Sequence, residues 1–106
     1  MSAPRSPRAR ADAAVLTLYV AGRTPASRQA RINLASILSE MGLSLEPTFI
    51  DVLAAPEEAM RQRVFVTPAL VVQCDGARQL VVGDLSLREP VAALLRALPR
   101  KGVSNE

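Results

Sequence analysis

Thr24-Pro25-Ala26-Ser27 sets two hydroxyls at the spacing of a Cys-x-x-Cys redox pair, directly after an apolar run from Val15 to Val20 and at the mouth of a helix. Thiol–disulfide exchange needs a thiolate nucleophile and, in a two-cysteine cycle, a second sulfur to resolve the mixed disulfide. A threonine or serine hydroxyl replaces neither. The chain holds one cysteine, Cys74, and no histidine to activate it, so an internal disulfide is excluded and Cys74 reads as an ordinary strand-end residue. Glu57 and Glu58 resemble paired acid/base carboxylates, but neighbours on a helix point about 100° apart and cannot flank one substrate. They read better as a solvated helix start. No Gly-rich phosphate cradle or Ser/His/Asp set is present, and without histidine or paired cysteine the usual zinc sites are excluded. The expectation is a non-enzymatic protein with no metal and no cofactor.

The elements that would position these residues follow from local pattern. Val15-Leu16-Thr17-Leu18-Tyr19-Val20 alternates and is rich in strand formers, with Gly22 ending it. Thr24 then Pro25 fits an N-cap with proline at the first helical position, where its missing N–H costs nothing. Ala30, Leu34, Ile37, Leu38 and Met41 recur at helical spacing, leaving Arg28, Arg31 and Ser39 to solvent, and Gly42 closes the helix. Leu45 to Val52 reads as a second strand, parallel to the first across the helical crossover. Pro56 with Glu57 and Glu58 opens a short second helix whose inner face is Ala59, Met60 and Val64. Ala69–Gln73 and Gln79–Val82 flank Asp75-Gly76, a strong hairpin signal because tight primed turns need positive φ. Ser86 with Glu89 fits a capping box for a last helix with Leu87, Val91, Leu94, Leu95 and Leu98 as its stripe; Pro90 falls in its first turn. The order βαβαββα is that of an α/β, thioredoxin-like single domain, a mixed sheet flanked by helices. In that fold the proline before the third strand is commonly cis, which predicts a cis Thr67-Pro68 bond beside the Thr24–Ser27 loop.

At 106 residues the chain has room for one domain and a modest core, domains running to about 100–150 residues. The net charge of +3 does not point to nucleic acid: residues 13–98 hold eight arginines and eight carboxylates, so the excess lies outside them. A nucleic-acid binder shows a basic stripe with stacking aromatics on its body, and neither is present. No apolar run approaches the ~20 residues of a membrane span. Residues 1–12, Arg- and Pro-rich without an apolar signal region, read as a disordered basic leader, and 99–106 as a flexible tail. The expected location is cytoplasmic, with no nucleic-acid or membrane partner.

Leu18-Tyr19-Val20-Ala21-Gly22-Arg23-Thr24-Pro25, Ile50-Asp51-Val52, Val66-Thr67-Pro68-Ala69-Leu70 and Gly83-Asp84-Leu85-Ser86 occur in an order and spacing that resemble the KaiB family of circadian-clock proteins, over about residues 15–98. The resemblance implies a non-enzymatic regulator that docks on a KaiC-type P-loop ATPase in its phosphorylated, ADP-loaded form and then sequesters other factors. It also implies fold switching: typical members store a tetramer with a different C-terminal half and bind as a thioredoxin-like monomer, whereas the related sensor domain of a clock histidine kinase uses the thioredoxin-like form alone. In the family, Thr67, Pro68, Gly83, Asp84, Leu85 and Ser86 border the region that changes fold. Typical members carry prolines between the positions of Leu70 and Gly83; this chain has Cys74-Asp75-Gly76, which favours a tight hairpin. The thioredoxin-like state is therefore expected as the ground state, or as more populated than in those relatives.

The expected docking surface is the first helix, the Gly22–Ser27 loop and the edge of the second strand, with Gly22, Arg23, Thr24, Ser27, Arg28 and Arg31 as partner-binding residues. Arg23 is favoured over Arg28 and Arg31 because it sits on a loop held by rigid elements. The plainer reading of Thr24 and Ser27 is a cap with a solvent-facing serine, and of Asp84 and Ser86 a shaped turn. Two other functions stay open: a stand-alone adaptor or sensor module for a histidine kinase, and a single-cysteine thioredoxin-like redox protein using Cys74. A homo-oligomer is also left open.

Overall fold

The computed structural model describes residues 14–98, Asp75 excepted; the leader expected at 1–12 and the tail expected at 99–106 lie outside the described residues. The elements run β1 (Val15–Val20), α1 (Pro25–Glu40), β2 (Thr48–Asp51), α2 (Pro56–Arg61), β3 (Ala69–Cys74), β4 (Ala77–Val82) and α3 (Arg88–Arg96). They build one four-stranded sheet in the order β2-β1-β3-β4. β2 is parallel to β1, and the other pairings are antiparallel. This is the predicted βαβαββα order, with β2 and β4 at the two edges.

Side-chain alternation divides the work between the faces. Leu16, Leu18, Val20, Leu70 and Val72 point to one face, where they meet Ala30, Leu34, Ile37 and Leu38 of α1 and Val91 and Leu95 of α3. Tyr19, Ala69 and Val71 point to the other, covered by the buried Ala59 and Val64 with Ile50 and Val52 against them. The large core lies under two helices and the small one under the single short α2.

The caps of α1 are those its sequence dictates. Thr24 Oγ1 accepts the Ser27 N–H at 3.2 Å, and Pro25 opens the helix. At the other end Gly42 takes φ 69°, with Gly42 N–H donating to Ser39 O and Leu43 N–H to Leu38 O, the paired bonds of a Schellman stop. The β3–β4 register pairs Cys74 with Ala77, so two residues make the turn, and Gly76 takes φ 84°. The Thr67-Pro68 bond is cis.

Four local readings need correction. β2 is only Thr48–Asp51, not Leu45–Val52: Pro47 has no N–H for a ladder, and Leu43 and Leu45 pack instead against the core under α1. Met60 is exposed, because the six-residue α2 buries one position, Ala59. The Ser86–Glu89 capping box does not form. The Ser86 N–H that Glu89 would accept is held by Asp84 Oδ1 at 2.9 Å, Glu89 pairs with Arg96, and α3 starts at Arg88 without a side-chain cap. Leu87 thus falls before the helix and is exposed rather than part of its stripe.

Candidate docking surface

The register fixes which loops share an end of the sheet. Val20 pairs with Asp51, Tyr19 with Ala69, and Ala69 with Val82. The segments 21–24, 52–55, 64–68 and 83–87 therefore all emerge at the end where β1 and β2 finish. The same register brings Pro68 to the end from which the Ala21–Thr24 turn leaves.

Polar side chains hold the first, second and fourth segments there, and backbone bonds hold the third. Ser27 is fully buried, and its Oγ accepts the Ala21 N–H at 2.9 Å. Gly22, at φ 61°, donates its N–H to Asp51 Oδ1 at 3.0 Å, and the same oxygen accepts the Leu53 N–H at 2.9 Å. Val52 N–H continues the β1–β2 pairing by donating to Val20 O at 2.8 Å. Gly83 N–H donates to Pro68 O, joining the third segment to the fourth. Asn33, on α1, donates its Nδ2 to Asp84 O at 2.8 Å. Leu85 takes φ 64° and sinks its side chain into the core, which turns the chain towards α3.

The outer side chains on this scaffold are apolar and uncovered. Leu53 is 72% exposed, Phe65 77% and Val66 56%, and Leu87 on the fourth segment and the cationic Arg23 are exposed at the same end of the sheet. The Leu53 methyl lies close over Gly22, where an added Cβ would stand 3.2 Å from its Cδ1. Apolar groups fixed on rigid loops and accompanied by a cation suit recognition of a protein surface.

The sequence-predicted site residues separate into three groups. Gly22, Arg23, Thr24, Thr67, Pro68, Gly83, Asp84, Leu85 and Ser86 do meet at this end. Arg28 and Arg31 are exposed on α1, and Arg31 stacks over the Phe49 ring of edge strand β2, 4.6 Å from its centroid. Ser27 is corrected: it is no solvent-facing serine and offers no partner contact, because its buried hydroxyl is spent on the Ala21 amide. The sequence reading missed Leu53, Phe65, Val66, Asp51 and Asn33. Phe65-Val66 before Thr67-Pro68 carries a readable signal, two large apolar residues where neither a strand nor a helix period could bury them.

Hydrogen bonds from the Ser86 hydroxyl and backbone N–H hold the Asp84 carboxyl below its usual range. Burial, then the nearby Glu58 carboxylate, raises the Tyr19 phenol above its ordinary value. Both hydroxyl oxygens of the 24–27 segment accept backbone amides, Thr24 Oγ1 that of Ser27 and Ser27 Oγ that of Ala21. Cys74 lies at the opposite end of the sheet, half-buried in the wall of an open cavity of about 310 Å³ with Val72, Ala77, Gln79, Leu94 and Leu98. Among the described residues no three His, Cys, Asp or Glu side chains gather as a metal would require, and no helix is long and apolar enough to cross a membrane.

Comparison with known proteins adds sequence and fold relatives. The KaiB domain family model matches residues 17–97. The chain is 36% identical to the circadian clock protein KaiB3 of Synechocystis over 86 residues, 80% of this chain and 84% of that one. It is 40% identical to the circadian clock oscillator protein KaiB of Microcystis aeruginosa over 78 residues, 73% of this chain and 75% of that one. Among solved structures, the N-terminal domain of Synechococcus elongatus SasA is similar with a TM-score of 0.68 and 30% identity, covering 89% of this chain and 90% of that one. A thioredoxin of Halobacterium salinarum matches with a TM-score of 0.68 at 20% identity, covering 85% of this chain and 78% of that one, a likeness of fold.

Proposed function

The chain belongs to the KaiB family, and from that membership we propose that it is a non-enzymatic regulator of circadian or related timing and stress signalling, acting in the cytoplasm by docking on a KaiC-type ATPase in its thioredoxin-like form. The observation that carries the reading is the end of the sheet where Arg23, Leu53, Phe65 and Val66 stand exposed on hydrogen-bonded loops. Loops fixed before contact spare the complex part of the ordering entropy that association costs. Arg28, and Arg31 on Phe49, extend the cationic side of this surface along α1 to the β2 edge, where acidic partner groups would meet them.

Size-exclusion chromatography with light scattering, on the protein alone and mixed with its host's KaiC-type ATPase in ATP and in ADP, tests this reading. A nucleotide-dependent complex is the expected result, and the mass of the free protein gives its oligomeric state. No complex in either nucleotide, with the protein folded, would overturn it. The second reading is the stand-alone adaptor or sensor module for a histidine kinase, favoured by the shared fold and 30% identity with the SasA N-terminal domain. Competition between this chain and a kinase's own sensor domain distinguishes it.

A further inference from the structure

Asp51 is the last residue of β2 and pairs with Val20, the last residue of β1. One more backbone bond, Val52 N–H to Val20 O at 2.8 Å, joins the strands past this pair before they separate into different loops. The Asp51 carboxylate then ties the two loops to each other. One oxygen, Oδ1, accepts the Gly22 N–H from the loop after β1 at 3.0 Å and the Leu53 N–H from its own loop at 2.9 Å. Hydrogen bonds to an ionised acceptor are about twice as strong as neutral ones. The Leu53 side chain then lies over Gly22, so the residue next to the apolar knob is the one that leads into Arg23.

We propose that Asp51 is a positioning residue that fixes Leu53 and Arg23 side by side as one docking element, with Leu53 as its apolar anchor. The proposal rests on the docking reading above and names the part of the surface that does the docking. A knob that is 72% exposed has little packing of its own to set its direction. Its backbone amide and the amide of Gly22 are the handles, and both are held by the same atom. Without that atom the bonds of Ala21 to Ser27 and of Ala54 and Ala55 to the residue 51 carbonyl still hold each loop to its own base, but the Gly22 and Leu53 amides lose their common acceptor and their relative arrangement widens. Only a fraction of molecules then presents the docking geometry, and apparent affinity falls by that fraction.

Two measurements on the full chain test this. The first is amide hydrogen exchange by NMR on the wild type, Asp51→Ala and Asp51→Asn. The expected result is that Asp51→Ala lowers the protection of the Gly22 and Leu53 amides by about tenfold or more while the Leu18 and Leu70 amides in the core keep theirs. Asp51→Asn, which keeps an acceptor oxygen, restores most of it. The second is the dissociation constant for the KaiC-type ATPase, set beside the melting temperature of each variant. Asp51→Ala and Leu53→Ala are each expected to weaken binding about tenfold or more, with Asp51→Asn between Asp51→Ala and wild type. A purely structural role would lower the melting temperature and leave the affinity of the folded variant unchanged. Should Asp51→Ala not fold, Asp51→Ser serves, its hydroxyl reaching the Leu53 amide of its own loop and not the Gly22 amide across the gap. Unchanged protection at Gly22 and Leu53, wild-type affinity in folded Asp51→Ala, or an Asn variant as weak as the Ala variant would each overturn the assignment. If the wild type binds no ATPase, the docking reading fails by itself, and the exchange measurement still supports or overturns the role of Asp51.

Discussion

At the end of the sheet where β1 and β2 finish, polar side chains hold three of the four loops: Ser27 on Ala21, Asp51 on Gly22 and Leu53, Asp84 on Ser86, and Asn33 on Asp84. At the opposite end the α1 stop is made by backbone alone, Gly42 to Ser39 and Leu43 to Leu38, with Leu43 and Leu45 turned in against the core. The first arrangement fixes a loop from beneath and leaves its outer side chains free. The second fixes a loop by burying it. A surface meant for another protein has to be ordered without being covered, and side-chain-to-backbone hydrogen bonds are the means this chain uses. The difference predicts that serine, glycine and aspartate substitutions will weigh unequally at the two ends.

The largest expected effect is at Ser27. Ser27→Ala changes the shape of the site little but leaves the buried Ala21 N–H without its acceptor, a loss of about 1–3 kcal/mol. Ser44→Ala, at an exposed position in the loop after α1, should stay within about 0.5 kcal/mol of wild type. Urea unfolding midpoints measured at constant slope compare the two. Equal midpoints would remove the distinction between the ends.

The glycines give a smaller and sharper contrast. Gly22 and Gly42 have nearly the same backbone conformation, φ 61° and 69°, so an alanine at either meets about the same left-handed penalty of 1–2 kcal/mol. At Gly42 the new methyl enters open space, whereas at Gly22 it stands 3.2 Å from Leu53 Cδ1. Gly22→Ala should therefore cost a few tenths of a kcal/mol more than Gly42→Ala, and adding Leu53→Ala should remove the excess, as a double-mutant cycle would show. If the excess is absent, Leu53 swings away freely and is not seated on Gly22.

How much of this was legible in the sequence depended on how far each interaction reaches. The α1 cap at Thr24-Pro25, its stop at Gly42 and the hairpin at Asp75-Gly76 were readable because the residues that act on one another are a few positions apart. Element order followed from them. The polar supports of the candidate site span the fold: Gly22 to Asp51 is 29 residues and Asn33 to Asp84 is 51. No local period signals such a bond. Ser27 shows the limit most clearly, since its place near the start of α1 suggested solvent, and only the path of the chain over Ala21 shows that the hydroxyl is enclosed. Met60 and Leu87 failed for a related reason. Their spacing matched an apolar stripe, but α2 is too short to bury it and α3 begins one residue too late to include Leu87.

The smallest expected effect, and the most local, is the acid response of the turn before α3. In the folded chain the Ser86 hydroxyl and amide donate to the Asp84 carboxylate and depress its pKa; in the unfolded chain it returns to the ordinary value of about 3.9. Between the two values the unfolded state binds more protons, so stability falls as pH falls. The contribution is complete above the ordinary value and is lost as pH drops through the folded one. Solvent around this carboxylate keeps the effect small, so the site-specific readout is the Ser86 amide proton shift. Its titration midpoint should lie below that of an unstructured aspartate. Asp84→Asn should abolish the titration, and it should spare the Asn33 bond, which uses the backbone carbonyl of residue 84. A midpoint at the ordinary value would mean that Asp84 does not hold Ser86 in solution. The fourth segment would then depend on Leu85 in the core, and the contrast between the two ends would narrow to the loops that Ser27 and Asp51 hold.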